Sequence, residues 1–306
     1  MRIAFIGAGA LGLYYGAMLQ RAGNEVRFLL RRDLEAISRR GLTVTSPRGD
    51  FHLEQVKGYA TPAEMGQVDL VVVGLKTFAN PRLAELTTPL VGENTVVLTL
   101  QNGLGNEELL AQIHGPQRVM GGIAFLCCNR GEPGFVHHLD QGRIRLGEFS
   151  GGLSERARRL TQLFEEAGVA CEAVADLTKA RWEKLVWNIP FNGLCALTGC
   201  TTDQLLSHEP MRREVRALMQ EVLAAGNAQE LSNPIAADFV DRMLAVTDEM
   251  GSYRPSMMID RQEQRPLELE SIYQIPLQRA AARHVAMPRV QLLHALLSFG
   301  EQNPQP

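Results

Sequence analysis

Arg2-Ile3-Ala4-Phe5-Ile6-Gly7-Ala8-Gly9-Ala10-Leu11-Gly12 is the stretch that decides the fold of this 306-residue chain. The apolar run predicts a strand over Arg2–Ile6, and the pattern after the glycines predicts a helix over Ala10–Arg21. A GxGxxG hexad carries weight only in this context, between a strand and the helix it opens. The first glycine allows a tight turn, the second lets backbone approach a pyrophosphate, and the third lets helix and strand pack closely. The free N–H groups of the helix start then face the anion. Gly7, Ala8, Gly9, Ala10, Leu11 and Gly12 are therefore the expected dinucleotide-binding residues.

The next strand, expected over residues 25–30, runs out into Arg31-Arg32-Asp33. Sites for NAD place an acid near this point to hold the adenosine ribose hydroxyls. Two guanidiniums suit a 2′-phosphate instead, through charge and forked donors. NADP (NADPH) is expected over NAD, with Arg31 the leading contact because it lies nearest the strand end.

Farther along, strands are expected over residues 70–74 and 95–100, with helices over 80–90 and 106–113. This alternation predicts a Rossmann-like, doubly wound parallel sheet. Ligands gather at strand ends in such sheets, which singles out Lys76 in Gly74-Leu75-Lys76-Thr77 and Asn102 in Gln101-Asn102-Gly103-Leu104-Gly105. Lys76 is placed toward cofactor or substrate charge, and Asn102 toward the nicotinamide ribose or the substrate. Residues 119–148 read as an antiparallel extension, with β-like runs at 134–139 and 143–146. A helix over 154–167 and a strand over 169–174 complete a dinucleotide domain at residues 1–174. From there the pattern is helical, at 181–197, 211–231, 236–248, 268–284 and 290–299, giving an all-helical substrate and catalytic domain at 175–306 with a disordered tail at 302–306.

Composition narrows the function classes. Hydrophobic residues make up 45% of the chain and charged residues 21%, enough for large cores. A net charge of -3 gives no attraction toward nucleic acid. Five cysteines without metal-ligand spacing predict reduced thiols and no metal. Residues 3–19 carry no charge, but their glycines argue against an export signal, and no stretch is long enough to span a membrane. A cytoplasmic location is expected.

The chemistry is expected on Trp182-Glu183-Lys184-Leu185-Val186-Trp187-Asn188-Ile189-Pro190-Phe191-Asn192. Lys184, Asn188 and Asn192 fall on one face of a helix whose other residues from Leu185 to Leu197 are apolar, glycine or proline. A helix apolar nearly all round is buried, and polar groups along it need partners or a cavity. Pro190 should kink the helix and free a carbonyl. A lysine ammonium can protonate a developing alkoxide, the acid half of carbonyl reduction. The asparagines suit the orientation of a hydroxyl or carboxylate.

With these residues in place, the chain resembles the ketopantoate reductase (2-dehydropantoate 2-reductase) family over essentially its whole length. The resemblance rests on the GxGALG start, Leu75-Lys76, the Gln-Asn-Gly-Leu-Gly loop, the Trp-x-Lys-x3-Asn-x3-Asn helix, Ser256-Met257 before Asp260, and Glu268-Leu269-Glu270. It implies a dinucleotide domain followed by a helical one, with a small 2-keto acid bound in the cleft between them. It implies NADPH-dependent reduction of 2-dehydropantoate to (R)-pantoate in pantothenate biosynthesis, with Lys184 as general acid. Glu268 would position that lysine and meet a substrate hydroxyl. Asn188 and Asn192 would hold the hydroxyl end, Ser256 the carboxylate, Asn102 the nicotinamide side and Arg31 the adenosine phosphate. Without the family, Glu270 is as good a candidate as Glu268, and Ser256 reads as a helix cap after Pro255. The chain departs from the family at Tyr273-Gln274-Ile275-Pro276, where glycine is common, and Trp187 and Phe191 add bulk beside the polar stripe. The alternatives are a reductase of another 2-keto acid and an NADP-sensing protein without turnover. A homodimer is the assembly left open.

Overall fold

A computed structural model describes residues 1–303. The chain divides into two compact units, Met1–Gln101 with Asn106–Leu177, and Asn102–Gly105 with the residues from Thr178 onward.

In the first unit the strands are β1 (Arg2–Ile6), β2 (Glu25–Leu29), β3 (Leu42–Thr45), β4 (Phe51–Leu53), β5 (Lys57–Tyr59), β6 (Val68–Val73), β7 (Val91–Thr99), β8 (Val119–Arg130), β9 (Phe135–Glu148) and β10 (Cys171–Ala173). The helices are α1 (Ala10–Arg21), α2 (Leu34–Arg40), α3 (Pro62–Met65), α4 (Leu83–Thr87), α5 (Asn106–His114) and α6 (Glu155–Glu166). β1 is central because both its faces are apolar. Ile3 and Phe5 join one core with Leu13, Leu70 and Val72, while Ala4 and Ile6 join another with Val71, Val73 and Leu110. Helices covering both faces of a parallel sheet demand this composition.

The sheet is mixed but mostly parallel. β5, β2, β1, β6, β7 and β8 lie side by side in that order, all parallel. β9 is antiparallel to β8, so the two expected short runs at 134–139 and 143–146 are one long hairpin arm. β3 and β10 add to β9 in parallel, and β4 pairs antiparallel with β3. β1 lies between β2 and β6, so the strand order reverses at its carboxyl end. That is the switch point at which open α/β sheets bind ligands.

The second unit is helical, comprising most of α7 (Leu177–Thr198) with α8 (Thr202–Ser207), α9 (Glu209–Asn227), α10 (Phe239–Glu249), α11 (Ser256–Gln262), α12 (Ile275–Ala282) and α13 (Pro288–Gln302). Trp182, Leu185, Val186, Ile189 and Phe191 of α7 sit in its core with Met219, Val222, Met257 and Tyr273. The helix continues through Pro190, which leaves the Val186 carbonyl without its usual donor. The neighbouring Ile189 carbonyl accepts a 2.8 Å hydrogen bond from the Tyr273 hydroxyl. Tyr273 fits because Gly193 stands opposite; a Cβ there would lie 2.5 Å from its oxygen.

Residues Glu270–Gln274 form a π turn before α12. Pro276 cannot donate to the Ile272 carbonyl, which favours a wider turn there. Helix α13 runs through Gln302, where a disordered tail was expected to start; residues 304–306 lie outside the described residues. Among the described residues no helix is long and apolar enough to cross a membrane.

Candidate active site

The glycine turn is built as its spacing predicts. Gly7 has φ +104°, in the left-handed region, and a Cβ on it would lie 2.4 Å from the Leu75 backbone nitrogen. A Cβ on Gly12 would fall 2.2 Å from the Gly7 carbonyl oxygen, so only glycine lets α1 approach β1 this closely. Around Gly9 the space is open, with nothing within 4 Å of a Cβ position. Gly9 is the N-cap of α1; no side chain caps the helix and no acid lies in its first turn. The first-turn N–H groups and the dipole are left for an anion. These residues fit the pyrophosphate of a dinucleotide. Lys76 follows directly on the Gly74–Leu75 backbone that touches Gly7 and is half-buried.

The two arginines after β2 separate in role. Arg32 donates a 2.6 Å hydrogen bond to the Gly131 carbonyl in the β8–β9 turn. Arg31 is exposed; its carbonyl accepts a 3.4 Å hydrogen bond from the Leu34 N–H, and its guanidinium forms no bond with another described residue. Asp33 is fully buried, ion-paired with Arg130, and its Oδ1 accepts a 3.2 Å hydrogen bond from the Gly134 N–H. It is turned into the protein rather than toward a ribose.

In the second unit, Lys184, Asn188 and Asn192 follow one another at one-turn intervals on α7. Asn188 and Asn192 are buried and Lys184 is half-buried. The Lys184 Nζ donates a 2.9 Å hydrogen bond to Oδ1 of Asn102. Asn102 lies in the four-residue loop Asn102–Gly105, which belongs to this unit. The loop is held by a 2.9 Å bond from the Leu104 N–H to the Ser271 carbonyl, and Gly103, at φ +81°, passes too close to Ser271 to carry a side chain.

The Lys184 pKa is lowered to about 7, first by burial and then by the neighbouring Arg181 guanidinium, with Glu268 acting in the opposite direction. Glu268 is buried whereas Glu270 is exposed, so the structure separates two acids that the sequence left equivalent. Arg181, one turn before Lys184 and buried, is absent from the sequence-based site. Its i, i+3 spacing to the lysine was the available signal.

Asn192 and Ser256 come together, with Asn192 serving as a cap. Its Oδ1 accepts the Met257 N–H at 3.1 Å and the Ser256 Oγ at 3.4 Å, satisfying a donor that Pro255 cannot cap. Its amide nitrogen forms no hydrogen bond with another described residue. The Asn188 side chain forms no hydrogen bond with another described residue. The expected bulk of Trp187 is directed elsewhere. Its indole N–H donates to Thr247 of α10 at 2.9 Å, and its ring packs on Phe191 and Tyr253.

A glycine turn open to an anion at the switch point of a parallel sheet, and a lysine set beside amide and carboxylate groups in a helical unit, are features that suit a nicotinamide-dependent oxidoreductase. The family model "Ketopantoate reductase PanE/ApbA" matches residues 3–151, and "Ketopantoate reductase PanE/ApbA C terminal" matches 176–301. The chain belongs to the ketopantoate reductase family. It is 44% identical to the 2-dehydropantoate 2-reductase of Nostoc sp. (strain PCC 7120), over 97% of this chain and 94% of the relative. The crystal structure of 2-dehydropantoate 2-reductase from Geobacter metallireducens GS-15 is 58% identical, with TM-score 0.97 over 98% of this chain and 100% of that one. The ternary structure of D-mandelate dehydrogenase with NADH and anilino(oxo)acetate shares the fold, with 22% identity and TM-score 0.89 over 99% and 98% of the two chains.

Proposed function

We propose that this protein reduces 2-dehydropantoate to (R)-pantoate with NADPH, and that Lys184 is the general acid. The observation that carries this reading is the Lys184 ammonium, fixed on Asn102 and held at a pKa of about 7, where it gives up a proton readily. The pyrophosphate would be held by the backbone from Gly7 to Gly12, and the 2′-phosphate by Arg31. NADPH, when bound, supplies the hydride. As the ketone carbon gains that electron pair, Lys184 transfers its proton to the ketone oxygen, so an alcohol forms and the lysine is left neutral. Charge stabilisation at the developing alkoxide is the lysine's main contribution.

The surrounding groups suit a small hydroxylated keto acid. Arg181 and protonated Lys184 outweigh Glu268 in charge, which favours an anionic substrate. Glu268 holds the lysine protonated and accepts from a substrate hydroxyl. Asn188 and the Asn192 amide nitrogen contact the hydroxyl end, and the Ser256 hydroxyl the carboxylate. Lys76 adds positive charge beside the glycine turn, and Asn102 orients the lysine.

Purified full-length protein, followed by NADPH absorbance against ketopantoate and a panel of other 2-keto acids, tests the assignment. Consumption with ketopantoate at the highest kcat/KM of the panel is expected. A clear preference for another keto acid would move the substrate while keeping the reaction. NADPH binding without consumption of any would leave a cofactor-sensing protein.

A further inference from the structure

Asp33 stands four residues beyond the last residue of β2, in the turn where sites for NAD carry a ribose-binding acid. Here the acid is withdrawn. Arg130, the last residue of β8, forms an ion pair with it, and the turn between β8 and β9 closes over it. That turn is tied down at several points: Arg32 donates to the Gly131 carbonyl, Gly134 donates to Asp33, and the Thr43 N–H donates to the Gly134 carbonyl at 2.9 Å. Asp33 has no exposed surface, whereas Arg31 beside it is exposed. A carboxylate beside a 2′-phosphate would repel it, whereas one facing an unphosphorylated ribose would accept its hydroxyls.

We propose that Arg130 is a positioning residue for cofactor choice: by pairing with Asp33 it removes the one acid of this turn from the adenosine ribose and leaves Arg31 to select the 2′-phosphate. The inference rests on the reading of the glycine turn as an NADP site. Arg130 acts through Asp33, which distinguishes it from a direct phosphate contact.

Isothermal titration of the full chain with NADP+, NAD+ and adenosine 2′,5′-bisphosphate tests this without turnover. The Arg130→Met variant should weaken NADP+ and the bisphosphate about tenfold while leaving NAD+ unchanged or tighter, because the freed carboxylate turns outward. Adding Asp33→Asn to that variant should restore NADP+ affinity to within about threefold of the parent, since no acid is left to release. Should Arg130→Met fail to fold, Arg130→Gln, whose amide still donates to Asp33, carries the same test with a smaller expected loss. Loss without restoration in the double variant would make Arg130 a direct phosphate ligand and overturn the proposal. So would an unchanged NADP+ affinity in the single variant. A parent protein that binds NAD+ as tightly as NADP+ would instead remove the NADP reading beneath it.

Discussion

At the scale of the residue, Lys184 can serve as the proposed acid only while it carries its proton. With a pKa near 7 the protonated fraction falls as pH rises through neutrality, so kcat/KM should fall above about pH 7. Arg181 repels the ammonium and Glu268 attracts it. Arg181→Gln should therefore move the basic limb of the pH–rate profile upward, and Glu268→Gln should move it downward, each on the order of one pH unit. A limb that stays put in both variants would assign the titration to another group. Lys184 as a candidate acid was legible from its place on a nearly all-apolar helix. The direction of the tuning was not, because it depends on burial; Arg181 carried only its i, i+3 spacing, and Glu268, 84 positions away in sequence, entered through the resemblance alone.

At the scale of the element, the surroundings of α7 depend on two tertiary contacts. Asn192→Ala removes the oxygen that caps α11, and a loss of about 1 kcal/mol is expected in urea unfolding. Gly193→Ala forces a methyl against Tyr273 and Leu293, and overpacking of this kind costs about 1–3 kcal/mol. Tyr273→Phe should relieve part of that clash, so the two substitutions should combine non-additively. Element boundaries were legible where patterning is strong: β1 and α1 match the expected residues end for end. They were less so at 80–90, where Pro81 and Pro89 divide the expected helix into a 3-10 turn, the short α4 and a second 3-10 turn. β3, β4, β5 and α2 escaped because short, half-exposed segments carry little periodicity. The start of helix α11 was signalled by Ser256 after Pro255, but Ser256 is its first residue rather than its cap; the capping oxygen comes from Asn192, 64 residues earlier.

At the scale of the whole molecule, the first unit carries the glycine turn with an exposed arginine after β2, and the second carries Lys184 bonded to Asn102. Gly9→Glu, which would place a carboxylate in the open space at the start of α1, should abolish NADP+ binding in titration calorimetry while the thermal unfolding midpoint changes little. The most direct measurement is steady-state NADPH oxidation with ketopantoate by the parent and by Lys184→Ala, with NADPH affinity measured in parallel. Turnover should fall by about two to four orders of magnitude with NADPH affinity nearly intact. Turnover close to that of the parent would contradict the account.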